Sequence, residues 1–196
     1  KQDLVLIDAG VETNELYTAD VTRTLPIGGK FSAAQREIYE LVMAAQSAAL
    51  GMVAPENDFL APHQAAMEVL ATGLVDLGII SEPLETVLDP KNQFYKRYTL
   101  HGVSHMLGID VHDCASARAE TYRNGQLQPG MVLTIEPGLY FQPDDLTVPN
   151  KYRGIGIRVE DDVLVTNRGH RVLTDIPRQS DEIERWIQRI WSKKKK

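Results

Sequence analysis

Apolar and β-branched residues cluster at two stretches near the start, residues 3 to 8 and 17 to 25, and the pattern predicts two strands there. The TNEL stretch between them reads as a hairpin turn centred on Asn14. A helix is predicted from Ser32, which forms a capping box with Gln35, and Ile38, Leu41, Val42 and Ala45 follow at helical spacing until Gly51 and Pro55 stop it. A second helix spans about residues 62 to 77, with Ala66, Val69, Leu70 and Leu77 on one face. From Leu100 the period shortens. Strands are predicted near 107 to 112, 131 to 136, 155 to 160 and 162 to 166, separated by Asn124-Gly125, Pro129-Gly130 and Pro137-Gly138. A last helix, capped near Ser180 or Asp181, carries Ile183, Trp186, Ile187, Ile190 and Trp191 as a core stripe. Helices grouped between two sets of strands indicate an α+β fold with an antiparallel sheet, and no internal repeat interrupts it.

Four acids sit inside or beside these apolar runs: Asp8 in LVLIDAG, Asp20 in YTADVTRT, Glu136 in MVLTIEPG and Glu160 in GIGIRVEDD. A buried, unpaired carboxylate costs several kcal/mol or more, so a positive partner is required. Asp8 and Asp20 lie symmetrically about Asn14, which predicts that they face each other across the hairpin with Cβ atoms about 5 Å apart. Glu136 and Glu160 repeat the arrangement, less securely, around a longer loop containing Pro143, Asp144, Asp145 and Pro149. With His105 the set is four oxygen donors and one imidazole, too many carboxylates for one structural zinc and enough for two adjacent divalent ions sharing ligands.

At 196 residues the chain holds one core. Its net charge of −6, without a basic stripe apart from the terminal KKKK, argues against a nucleic-acid partner. The single cysteine, Cys114, excludes an intrachain disulfide and fits a reducing compartment; its neighbours give it no nucleophilic partners, so a structural role is expected. Apolar runs are short and interrupted, so no membrane segment is predicted and a cytoplasmic location is expected.

The segment HGVSHMLGIDVHD holds three of the five histidines, His101, His105 and His112, flanked by apolar residues. Such a concentration beside four candidate ligands indicates a site. This segment, together with DAGVETNELYTADVTRTLP, GMVLTIEPGLYF, VPNKYRGIGIRVEDDVLVT and LTDIPRQSDEIERW, resembles the pita-bread metallopeptidases, and within them the Xaa-Pro aminopeptidase (aminopeptidase P) branch. The matching stretches run in the family's order over nearly the whole chain. The interval from Asp8 to Asp20 is one residue longer than the commonest family spacing, a difference expected to be absorbed at the Asn14 turn or in a bulge.

The resemblance implies a pita-bread fold, an antiparallel sheet with covering helices, in which Asp8 chelates one metal, Asp20 and Glu160 bridge two, and His105 with Glu136 completes the second. The implied cofactors are two divalent ions, manganese first, with cobalt or zinc as alternatives, and the oxygen-rich ligands agree with manganese on softness grounds. The implied reaction is hydrolysis of the N-terminal Xaa-Pro bond of peptides with proline second, by a metal-bridging hydroxide. His112 would hydrogen-bond the scissile carbonyl or its oxyanion, Glu136 would carry the proton to the leaving nitrogen, and His101 would wall the proline pocket. Tyr140 and Arg158 would frame the site, touching substrate, and Arg158 would assist the chemistry.

Three other readings stay open. Prolidase uses the same ligands on dipeptides; methionine aminopeptidase fits less well because the HGVSH and DVHD wording differs; a non-catalytic peptide-binding or protein-binding module of the same fold normally loses ligands, and all five are present here. The family's catalytic domain has a further stretch upstream of the strand bearing Asp8. The expectation is therefore a catalytic domain over residues 1–192, incomplete at its N-terminus, with a lysine tail at 193–196. The missing stretch would be supplied as a second chain or in a homo-oligomer, because half a fold should leave the sheet and the helix around Ile38 and Leu41 uncovered.

Overall fold

The apolar and β-branched residues of LVLIDAGVE and TADVTRTLP build an antiparallel ribbon of β1 (Leu4–Glu12) and β2 (Thr18–Pro26) in the computed structural model, which describes residues 3–193. Nine consecutive pairs, from Leu4 with Pro26 to Glu12 with Thr18, run without a bulge. The interval between Asp8 and Asp20 closes through a turn in which Thr13 N donates to Tyr17 O at 2.8 Å and Leu16 takes a positive φ of 65°. This turn is centred on Glu15, one residue past the expected Asn14, a shift that matters for the site below.

Helix α1 (Ala33–Gly51) starts at the expected Ser32 capping box. The Ser32 hydroxyl accepts from Gln35 N at 3.2 Å while the Gln35 side-chain oxygen accepts from Ser32 N at 2.8 Å. Helix α2 (Ala61–Asp76) packs along α1, and Gly73 is needed at their closest approach because a Cβ there would meet Leu41 Cδ1 at 2.3 Å. The α2 face that is buried is Pro62, Ala66, Met67, Leu70, Ala71 and Leu74; Val69 and Leu77 sit at its margin. The prediction of an uncovered α1 is overturned: Ile38 is fully buried, and Leu41, which meets α2 at Gly73, packs on the core. On the ribbon, Val5, Ile7 and Val11 are exposed.

A short helix, α3 (Leu84–Leu88), leads to a long irregular stretch that ends at β3 (Val132–Ile135). The strand predicted over 107 to 112 does not form. Gly108 O accepts from Thr18 N and from the Thr18 hydroxyl, so this backbone is spent on capping the end of the hairpin, and only Met106 makes bridges, to Leu133 and Asp113. Strand β4 (Gly138–Tyr140) pairs with β5 (Gly156–Arg158), and β3 pairs with β6 (Asp161–Thr166), which pairs in turn with β7 (Gly169–Val172). Strands β4 and β7 escaped the sequence reading; at three and four residues they fall below the length at which alternation is detectable.

Helix α4 (Ser180–Lys193) buries Ile183 and Ile187, but Ile190 and Trp191 are exposed, so the predicted stripe covers only the first half of the helix. Trp191 lies over Gly29, whose φ of 79° and missing Cβ admit the ring. The helix runs through Lys193, one residue into the expected lysine tail; residues 194–196 lie outside the described residues. Among the described residues no helix is long and apolar enough to cross a membrane.

Ser32→Ala should destabilise the fold by about 1 kcal/mol, the usual worth of a capping side chain, with Ser32→Thr near parental. Urea denaturation measures this; an unchanged midpoint for the alanine variant would remove the box from the account of α1.

Candidate metal centre

The register of the ribbon fixes the first two acids. Asp8 stands opposite Thr22 and Asp20 opposite Gly10, so the carboxylates are diagonal neighbours on one face and not a direct pair. The turn's shifted centre is the cause. For Glu136 and Glu160 the weaker expectation is met more fully: β3–β6 and β4–β5 share one continuous register, which sets these two residues opposite each other at the junction between the sheets. There the backbone turns outward for other partners, Glu136 N donating to Val103 O at 2.8 Å and Glu160 N to Thr22 O at 3.1 Å. The second bond ties the ribbon to the sheet.

His105 is carried by a segment that runs beside β3. Thr134 N donates to His105 O at 2.9 Å and His105 N donates to the Thr134 hydroxyl at 3.2 Å. This brings His105 Nε2 to 3.4 Å from Glu136 Oε1 and 3.5 Å from Asp20 Oδ2. Three groups of side chains have ligand atoms all within 4.8 Å of one another: Asp8, Asp20 and Glu160; His105, Glu136 and Glu160; and Asp20, His105 and His112. Glu160 belongs to the first two. The four acids and one imidazole expected to hold metal are thus gathered in one place, and His112 stands beside them, its ring 4.4 Å from that of His105 between centroids.

The remaining expected residues form a hydrogen-bonded wall. Arg158 pairs with Asp8, donates from Nε to the Thr22 hydroxyl at 3.0 Å and from Nη1 to Tyr140 OH at 3.2 Å. Tyr140 OH lies 2.7 Å from His101 Nε2, and His101 Nδ1 is 3.5 Å from Glu136 Oε2. Gly138 is required in this wall, since a Cβ there would fall 2.5 Å from the Tyr140 hydroxyl. On the far side of His101 and His105 opens a cavity of about 560 Å³, which Phe59, His63, Met67 and Tyr122 also line.

Two neighbours were missed from the sequence. The Thr22 hydroxyl donates to Glu160 Oε2, and Asp162 accepts from Asp20 N with both oxygens at 3.3 Å. Thr22 was legible in principle, being two residues past Asp20 and so on the same face of β2. Cys114, expected to be structural, is exposed with a φ of 57°; slight burial and then Asp113 raise its thiol pKa, so it gains no nucleophilic character.

Burial governs the protonation of this cluster. It pushes Glu160 up to about 8, with Glu136 adding to the effect, and Glu136 up to about 7 against the pull of Arg158. Asp20 is raised to about 6 by burial and then by Asp8, and Asp162 to about 6 by burial. The imidazoles of His101 and His105 are lowered, again first by burial. Without cations the site therefore retains protons on its acids, and a divalent ion would displace them.

Residues 1–167 match the model of metallopeptidase family M24. The chain belongs to this family. Over 186 residues it is 57% identical to Xaa-Pro aminopeptidase 1 of Streptomyces coelicolor, an alignment that covers 94% of this chain and 38% of that protein. It is 43% identical to Xaa-Pro aminopeptidase of Escherichia coli, covering 93% of this chain and 40% of the relative. Aminopeptidase PepP of Pseudomonas aeruginosa superposes with a TM-score of 0.91 at 42% identity, over 97% of this chain and 42% of that one. The M24 chain has the pita-bread fold and spans about two fifths of the length of these relatives.

The raised acids set a pH dependence. Their unfolded values are near 4, so the folded, metal-free chain binds more protons than the unfolded one between about pH 4 and 8, and stability falls as pH rises through that window. Calorimetry of metal-stripped protein should show Tm declining from pH 5 to 8.5. Titration with a divalent cation near pH 7 should release protons, visible as a binding heat that depends on the ionisation enthalpy of the buffer. A flat Tm and a buffer-independent heat would contradict the protonated cluster.

Proposed function

We propose that this M24 chain carries the dinuclear centre of an Xaa-Pro aminopeptidase, which hydrolyses the bond between an N-terminal residue and a following proline. The observation that carries the reading is Glu160, which belongs at once to an Asp8, Asp20 group and a His105, Glu136 group. A shared carboxylate between two adjacent donor sets suits a pair of ions, and four carboxylates with one imidazole suit hard divalent cations, manganese foremost. Asp8 would hold one ion, His105 and Glu136 the other, and Asp20 with Glu160 both. When bound, such ions polarise a carbonyl and lower the pKa of a water molecule.

The chain's own residues supply the rest. Glu136, set between His101 and His105, takes a proton from the attacking water and delivers it to the proline nitrogen, which cannot leave as an amide anion. His112, beside His105 at the open side of the cluster, donates to the oxyanion. His101 and Tyr140, held by Arg158, wall the pocket for a ring whose fixed φ and missing N–H exclude it from ordinary peptidase sites. Arg158 also orients Asp8.

The relatives named Xaa-Pro aminopeptidase support the proline specificity. Prolidase activity, restricted to dipeptides, would employ the same centre; assays with Xaa-Pro, Xaa-Pro-Yaa and Met-Ala-Yaa peptides in manganese separate the readings. Turnover of the Xaa-Pro-Yaa peptide alone or above the others is expected, and turnover of Met-Ala-Yaa alone would overturn the proposal. The exposed Val5, Ile7 and Val11 of the ribbon support assembly with a further segment or a second copy, and the single cysteine supports a reducing cytoplasmic setting.

Glu160→Gln should lower metal content from two ions per chain to fewer than one, read by elemental analysis after desalting, because both positions lose a ligand. Retention of two ions would remove Glu160 as the shared ligand. His112→Ala should keep both ions and lower kcat by about a hundredfold, equivalent to roughly 3 kcal/mol of transition-state stabilisation. Loss of an ion in that variant would instead make His112 a ligand.

A further inference from the structure

Behind the candidate ligands lies a second charged cluster that the chemistry above does not use. Successive residues of a strand point to opposite faces, so Arg23 points away from the face that carries Asp20 and Thr22, and Asp161 away from that of Glu160. These two rear side chains meet: Arg23 Nη2 is 2.7 Å from Asp161 Oδ1, with Arg23 5% exposed and Asp161 fully buried. All five guanidinium donors are engaged. Nη1 donates to Glu160 O at 2.6 Å and Thr22 O at 2.9 Å, Nε to Pro177 O at 2.9 Å, and Nη2 also to Ile176 O at 3.0 Å.

The other oxygen of Asp161 is held as firmly. It accepts from Arg178 Nη1 at 2.7 Å and from Gln46 Nε2 at 3.1 Å. Gln46, fully buried on α1, reaches further to Ile135 O at 3.3 Å and Val159 O at 3.4 Å, the residues immediately before Glu136 and Glu160. One cluster therefore grips the backbone beside ligand candidates on the ribbon and on both sheet strands.

We infer that Arg23, with Asp161 and Gln46, is a positioning brace that sets the separation between the ribbon-borne carboxylates, Asp8 and Asp20, and the sheet-borne Glu136 and Glu160. The physical case is the contrast between stability and geometry. A buried ion pair contributes little net stability, since desolvation offsets attraction, but a fully satisfied guanidinium fork has one geometry and resists sliding of the strands it joins. Paired metal sites of this kind need ions about 3.5–4 Å apart, and ligands split between two sub-structures keep that spacing only if the sub-structures are locked together. Lysine would retain the charge of Arg23 while offering three donors from a single flexible point, so it keeps attraction and loses the lock.

The inference rests on the dinuclear reading of the site, and its test separates the two. The parent chain, Arg23→Lys, Arg178→Gln and, as a control in an exposed ion pair, Arg97→Gln are loaded with manganese; affinities are taken by calorimetry and the coupling between ions by electron paramagnetic resonance. Arg23→Lys is expected to weaken the second ion at least tenfold and to alter the coupled spectrum, lowering kcat with KM little changed, whereas Arg97→Gln matches the parent. Parental affinity and spectrum in Arg23→Lys, even with a lowered Tm, would overturn the brace while leaving the site reading intact. Should Arg23→Lys fail to fold, Arg178→Gln decides by the same readouts: about threefold weaker binding with a changed spectrum supports the brace, and parental values overturn it. A parent chain that binds no coupled pair overturns both.

Discussion

Repulsion among carboxylates confined to a space a few ångströms across is the constraint on which this structure turns. Glu160 and Glu136 are largely buried, Asp20 partly so, and each is pushed toward its neutral form. Burial and crowding together make such a cluster expensive unless cations or protons neutralise it. Among the described residues, the permanent cation bonded to the front of the site is Arg158, and it is committed to Asp8, Thr22 and Tyr140. The rest of the positive charge must be imported, which is what a metallopeptidase of this family does.

That requirement explains the division of labour between the two faces of the same strands. On the front, the side chains of Asp8, Asp20 and Glu160 converge on one point. On the rear, both oxygens of Asp161 are held, one by Arg23 and the other by Arg178 and Gln46. The rear cluster sets its one carboxylate between two guanidiniums and so can be rigid without any ligand. The front cluster is left short of positive charge, so its ordering is coupled to what binds there.

The helices contribute by holding this framework still. Helix α1 is buried along Ile38, Tyr39, Val42 and Ala45, so Gln46 one turn further on projects into the rear cluster from a fixed position. Helix α2 covers the other side of α1 and, at its N-terminal end, lines the cavity behind His101 and His105. The ribbon, by contrast, keeps Val5, Ile7 and Val11 exposed and is attached by hydrogen bonds along β2, from Thr18 to Gly108, Asp20 to Asp162, Thr22 to Glu160, Thr24 to Arg158 and Arg23 to Asp161.

The sequence alone determined the chemistry of this protein: which acids needed a counter-charge, which histidine joined them, and which motifs carried the resemblance, because those follow from residue type and near-neighbour context. It also determined the ribbon, α1 with its Ser32 cap, and the buried start of α4, where periodicity and capping are local. Tertiary structure decided what local pattern cannot encode. A one-residue shift in the turn made Asp8 and Asp20 diagonal, since register depends on how the loop closes. The segment 107 to 112 became a cap on the hairpin because Thr18 claimed the carbonyls of Gly108 and Asp110. The partnership of Arg23 with Asp161, 138 residues apart, was invisible for the same reason: a buried ion pair is made by two chain segments meeting, and neither segment alone records the other.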